Sequence, residues 1–181
     1  MKKEQHQSKK ANLTQIMSIK RFIITYLILM GLFFLLIGFT PIQKVIDING
    51  LYTQAVVSLT AMVLEIMGIP CTYQGSIIKV SGISLDVRFG CNGLEAVMIY
   101  AVAIIAFPAT WKKRLIGIVG GFLVIQVINI IRIAALGYSG IYLKSLFKYI
   151  HIYVAQGIMI AVAIAMFLLW IEYAKNNTDQ D

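Results

Sequence analysis

The sequence predicts an all-α polytopic membrane protein with four transmembrane helices, an amphipathic helix and a short extracytoplasmic β-hairpin. Three observations lead there. Of the 181 residues 59% are hydrophobic and 13% charged, a balance that suits one integral membrane domain and leaves no room for a separate soluble one. Four runs are long and apolar enough to cross a bilayer: 22–39, 94–109, 115–136 and 152–171. Basic residues gather at the flanks of those runs, at Lys2, Lys3, Lys9, Lys10, Lys20 and Arg21 and again at Lys112, Lys113 and Arg114. The positive-inside rule thereby accounts for the formal charge of +8, and the lack of an aromatic-interleaved basic face argues against nucleic acid as a partner.

The chain divides into a basic cytoplasmic tail, 1–21, a single membrane domain, 22–173, and a polar tail, 174–181. The run 22–39 is too long for a secretory h-region, and no small-x-small cleavage site follows Thr40-Pro41, so it reads as a retained anchor. Segment 51–69 is weaker: Gln54, Ser58, Ala61 and Glu65 recur at helical spacing as a polar stripe, against Val57, Leu59, Val63, Ile66 and Met67. Such a helix suits the interface or a groove among the others. Charge bias sets the topology. With 51–69 outside the count of spans, Lys2 to Arg21, Lys112 to Arg114 and Lys175 share the inner side, and both termini are cytoplasmic.

A β-hairpin is expected within 73–89. Ile83, Leu85, Val87 and Phe89 alternate with Ser84, Asp86 and Arg88, and Ile78 and Val80 precede them across Ser81-Gly82. Residues 137–150, with Tyr138, Tyr142, Tyr149, Lys144 and Lys148, have interfacial composition. Gly120-Gly121, in mid-helix, suits close helix packing.

Cys91, Arg132 and His151 stand at the edges of three apolar runs. At about 1.5 Å per helical residue, Arg114 to Arg132 spans about 27 Å, Lys112 back to Cys91 about 32 Å, and Trp170 back to His151 about 29 Å. All three therefore fall near the boundary opposite the Trp111-Lys112-Lys113-Arg114 loop, across a core about 30 Å thick. Asn92 with Glu95 reads as a capping box that sets the Cys91 thiol at a helix N-terminus, where a thiolate is favoured. Two other readings of Cys91 stand: a small buried hydrophobe, or a disulfide with Cys71. Arg132 is a functional residue or a snorkelling one, and Asn129, three positions earlier, is placed to orient it. His151 is a proton carrier or an incidental interfacial residue. Taken together they supply a nucleophile, an acid–base group and a fixed cation for an oxyanion. No cofactor or metal is expected, since the chain has no Cys-x-x-Cys, no His-Glu-x-x-His, no phosphate loop and no dinucleotide fingerprint.

The run Leu85-Asp86-Val87-Arg88-Phe89-Gly90-Cys91-Asn92-Gly93-Leu94-Glu95, then Asn129-Ile130-Ile131-Arg132-Ile133, then His151, resembles the exosortase/archaeosortase family of membrane cysteine transpeptidases over roughly 51–172. The Cys-Asn-Gly-Leu-Glu form looks most similar to the exosortase H group. The resemblance implies a bacterial plasma-membrane enzyme with an extracytoplasmic active site, in which Cys91 is the nucleophile and Arg132 and His151 complete the catalytic set. It implies as substrates exported proteins bearing C-terminal sorting signals, of an Ile-Pro-Thr-Leu type, and as co-substrate an acceptor at the cell surface. Asn92 stands where many members have Ser, and Cys71 has no counterpart in the signature. The contrasting expectation is a small non-enzymatic subunit of an export or envelope-assembly complex, with Arg132 paired to Glu65 or Glu95.

Overall fold

A computed structural model describes residues 19–36, 48–88, 90–143, 145 and 147–176. The tail 1–18, the end of the first predicted run, Phe89, Lys144 and the tail after 176 lie outside the described residues. The chain is a helical membrane protein with a small antiparallel sheet. In order, α1 (Ile19–Leu36) is followed by α2 (Ile48–Ile66), strands β1 (Cys71–Gln74), β2 (Ile77–Val80) and β3 (Ile83–Asp86), and helices α3 (Leu94–Ala106) and α4 (Trp111–Tyr142). A single turn, α5 (Phe147–Tyr149), and a π-helical segment (Ile150–Val154) lead into α6 (Ala155–Asn176).

Among the described residues three helical stretches have spanning length: Ile19–Leu36, Trp111–Tyr142 and Ile150–Asn176. The predicted span 94–109 is instead a helix of 13 residues, Leu94–Ala106. At about 20 Å it falls short of the hydrocarbon core. It stops where Phe107 turns extended (φ −77°, ψ 137°), as the residue before Pro108 must. Conversely α4 runs beyond the predicted 136 to Tyr142, so its 32 residues, about 48 Å, outreach the core, and the Tyr138 and Tyr142 rings meet on its last turns at a tilt of 38° with centroids 4.5 Å apart.

The hairpin expected at 73–89 is a three-stranded meander in the order β1-β2-β3. The Ser81-Gly82 turn sits where the sequence put it, with Val80 opposite Ile83, and a second turn adds β1 with Gln74 opposite Ile77. An isolated ribbon of this size is marginal. Its inner face, Ile78, Val80, Leu85 and Val87, is covered by Val56, Val57 and Leu64 of α2 and by Ile133 and Ala134 of α4. The amphipathic reading of α2 holds in kind but not in detail: Thr53, Thr60 and Ala61 are buried, whereas Leu59 and Ile66 are exposed. Thr60 tolerates burial because its hydroxyl donates to the Val56 carbonyl at 2.8 Å.

A second core joins Ala96, Tyr100 and Ile104 of α3 with Ile125 of α4 and Met159, Ala163 and Trp170 of α6. Here α4 approaches its neighbours through small residues. A Cβ on Gly117 would run into the Trp170 ring and one on Gly121 into the Tyr100 ring, whereas Gly120 faces open space. The Tyr100 hydroxyl donates to the Gly117 carbonyl at 2.7 Å and the Trp170 indole to the Lys113 carbonyl at 2.9 Å, which fixes both rings. Gly121→Val should therefore destabilise the protein by about 1–3 kcal/mol while Gly120→Val is tolerated. Thermal unfolding in detergent by tryptophan fluorescence checks this, and equal losses at the two glycines would contradict it.

Candidate active site

The site forms where the two cores meet. After β3 the chain makes a tight turn in which the Arg88 carbonyl accepts from the N–H groups of both Cys91 (2.7 Å) and Asn92 (2.9 Å). Gly93, with φ +82°, closes it, and a Cβ there would lie 2.6 Å from the Asn129 amide, so only glycine fits both the backbone and the space. The turn presents Cys91 at the mouth of α3 and buries Asn92 completely.

Asn92 fastens this turn to two helices. Its Nδ2 donates to Asn49 Oδ1 and Thr53 Oγ1 of α2, each at 2.9 Å, and its Oδ1 accepts from the Leu94 N–H at 3.1 Å. Its backbone carbonyl accepts from Asn129 Nδ2 of α4 at 2.7 Å, with Asn129 likewise fully buried. Neither Asn49 nor Thr53 entered the sequence reading. Their i, i+4 spacing on one face of α2 was the available signal. The capping box is corrected: Gly93 takes the N-cap position without a side-chain bond, the Leu94 N–H is the one backbone donor of α3 that Asn92 Oδ1 reaches, and Glu95 turns away to accept from Gln156 Nε2 at 3.4 Å. Buried Asn92 satisfies its amide on α2 before it can serve the helix end.

One turn along α4 from Asn129, Arg132 is 7% exposed and donates through Nη2 to the Cys91 carbonyl. Its Nε is buried without a hydrogen-bond partner among the described residues. It makes no ion pair with Glu65 or Glu95 among the described residues, which removes the pairing that the subunit reading invoked. His151 arrives from the other side, in the π-helical segment that precedes α6, with Nε2 3.8 Å from Cys91 Sγ. A π turn is a frequent marker of functional positions because its extra residue re-aims a side chain without breaking the helix. The Phe147 ring stacks on the imidazole (centroids 5.8 Å, planes 18° apart) and fixes its orientation, a contact that the sequence did not disclose.

Cys91, His151 and Arg132 are thus brought together, with Asn92 and Asn129 as supports and Glu95 at the periphery. Cys71 stands apart: both cysteines are free thiols, and Cys71 Sγ contacts the Ala61 carbonyl at 3.6 Å against the α2 core. The expected thiolate is also corrected. Burial pushes the Cys91 thiol above its ordinary range, the Arg132 guanidinium pulls it back only in part, and Glu95 and Asp86 add to the rise. A neutral resting thiol follows. Alkylation of Cys91 by iodoacetamide should therefore be slow at pH 7 and climb about tenfold per pH unit past the ordinary thiol range, because only the thiolate reacts. A rate already level below pH 8 would contradict a raised thiol.

A family model described as transmembrane exosortase (Exosortase_EpsH) matches residues 20–171, and so takes in α1 as well as the region from 51 onward that carries the signature. No curated protein and no solved structure matches the chain.

Proposed function

This chain belongs to the transmembrane exosortase family, and we propose that it is a cysteine transpeptidase that cleaves the C-terminal sorting signal of exported proteins and passes them to a cell-surface acceptor. The observation that carries the reading is the 3.8 Å approach of Cys91 Sγ to His151 Nε2 beside a buried guanidinium. Few arrangements of these three groups serve packing alone, since each would be better satisfied in water.

The chemistry follows from the protonation state. A neutral thiol needs a base at the moment of attack, and His151 is within reach of the sulfur proton. As the S–C bond to the scissile carbonyl forms, the proton passes to Nε2. The carbonyl oxygen becomes an oxyanion, for which Arg132 Nε is a donor not engaged elsewhere among the described residues. Collapse breaks the C–N bond, and His151 returns its proton to the departing amine. The thioester on Cys91 is resolved when an acceptor amine attacks, gives its proton to His151 and releases the sulfur, which takes that proton back. With Lys112 to Arg114 at the cytoplasmic face by charge bias, the site lies at the outer boundary, where a substrate anchored by its own helix has a raised effective concentration.

Hydroxylamine tests this directly. Added to membranes in which a reporter ending in an Ile-Pro-Thr-Leu motif, an apolar helix and a basic tail is co-expressed, it should intercept the thioester and leave a hydroxamate at the new C-terminus, read by mass spectrometry. Cleavage that yields only the free acid at any hydroxylamine concentration would argue against a covalent thioester.

A further inference from the structure

One cavity outside the catalytic cluster shares a wall with it. Between β3 and the last turns of α4 lies a cavity of about 350 Å³ lined by Ile83, Ser84, Leu85, Gly140 and Phe147. Its Phe147 wall is the ring that stacks on His151, so the cavity opens beside the catalytic base. Its other wall is a sheet edge: β3 pairs only with β2 among the described residues.

The register tells which backbone groups that edge offers. With Val80 opposite Ile83 across a two-residue turn, Ile83 and Leu85 exchange hydrogen bonds with β2, and the N–H and C=O of Ser84 point away from it, toward the cavity. Gly140 lets α4 approach closely the Ile83 and Phe147 side chains that wall this cavity. A Cβ there would come within 2.5 Å of Ile83 Cδ1 and 3.4 Å of the Phe147 ring. An unpaired strand edge of this kind is a template for one more strand.

We propose that the free edge of β3 takes the extended recognition segment of the sorting signal as a fourth strand, with an aliphatic side chain of that segment seated in the Gly140 cavity. This rests on the transpeptidase reading for its substrate. Pairing at Ser84 aligns the peptide along the chain that turns into Cys91 five residues after β3 ends, which delivers the scissile bond to the sulfur. The occupant is a peptide backbone rather than lipid, because the edge provides a donor and an acceptor on one residue and the adjoining walls are mostly apolar.

The test uses the full-length protein in lipid nanodiscs with the same reporter. Ser84→Pro deletes the outward N–H without removing a bond within the sheet. It should raise KM about tenfold, as loss of a docking hydrogen bond predicts, with kcat and the alkylation rate of Cys91 near wild type. Gly140→Val should raise KM similarly, because its side chain would push the Ile83 wall out of place. Tyr73→Pro, the same change at the far edge of β1, should leave KM unchanged. An unchanged KM in Ser84→Pro overturns the docking. Capture separates this from failure of the function reading: in a Cys91→Ala protein, a photoreactive residue at position 84 should crosslink to the reporter's motif without chemistry. Capture with no turnover by wild type would remove the transpeptidase reading and keep the docking. Turnover without capture would remove the docking alone, and neither would remove both.

Discussion

Cys91→Ala should abolish processing of a co-expressed substrate, a loss of at least about 10⁴-fold, because covalent catalysis has no substitute nucleophile at that position. Water cannot take its place. The site is arranged around the sulfur: the Arg88 carbonyl and Asn92 hold its turn, His151 is 3.8 Å away and Arg132 bonds its carbonyl, so removal of one atom leaves the scaffold intact and the chemistry without an attacking group. Cys71→Ser is the matched control. That thiol packs against α2 and touches the Ala61 carbonyl at 3.6 Å, a contact that a hydroxyl keeps, so processing should stay within about twofold of wild type. Both are read from the size of the substrate on gels. Undiminished processing by Cys91→Ala would remove the nucleophile, and a large loss in Cys71→Ser would point to a disulfide or to a second catalytic thiol.

How much of this was legible in the sequence depends on the range of the forces involved. Apolar runs and flanking charges report the solvent in which a segment sits, and they located α1, α4 and α6 well. Periodicity at 83–87 and the Ser81-Gly82 turn located β2 and β3, since turn chemistry and alternation are local. Helix rise put Arg132 and His151 at one depth, whereas for Cys91 it assumed a helix continuous back from Lys112, and that helix ends at Ala106. What rise could not supply was their azimuth, which depends on a π turn at 150–154 that shifts the ring of His151. Element ends were misjudged where one residue decides: Pro108 cut α3 short, and nothing before Tyr142 broke α4. Partners from distant segments were the least accessible. Asn49 and Thr53 matter because Asn92 is buried between α2 and α4, and Phe147 matters because it faces His151, and both are facts of packing rather than of spacing.

Arg132→Lys preserves the charge and should still lower kcat/KM by about 10²–10³-fold, the cost of losing a preorganised oxyanion donor. The argument is geometric. One guanidinium reaches the Cys91 carbonyl through Nη2 and has Nε left for the developing oxyanion, two directions fixed by one plane. An ammonium on a flexible stem satisfies one of these at a time, and it gives up more hydration when 7% exposed than the weakly hydrated guanidinium does. If it chooses the carbonyl, the turn stays in place and the oxyanion loses its donor; if it chooses the oxyanion site, the turn loosens. Iodoacetamide separates the two, because a loosened turn exposes Cys91 and speeds its labelling, whereas a held turn leaves the rate near wild type. Since Arg132 also pulls the thiol down toward its ordinary range, Arg132→Met should carry the rise of the labelling rate to higher pH than in wild type, a displacement along the pH axis that loosening of the turn alone would not produce. Snorkelling to the headgroups predicts otherwise: a lysine of similar reach would serve equally well, and full activity of Arg132→Lys would establish that role for the residue in place of a catalytic one.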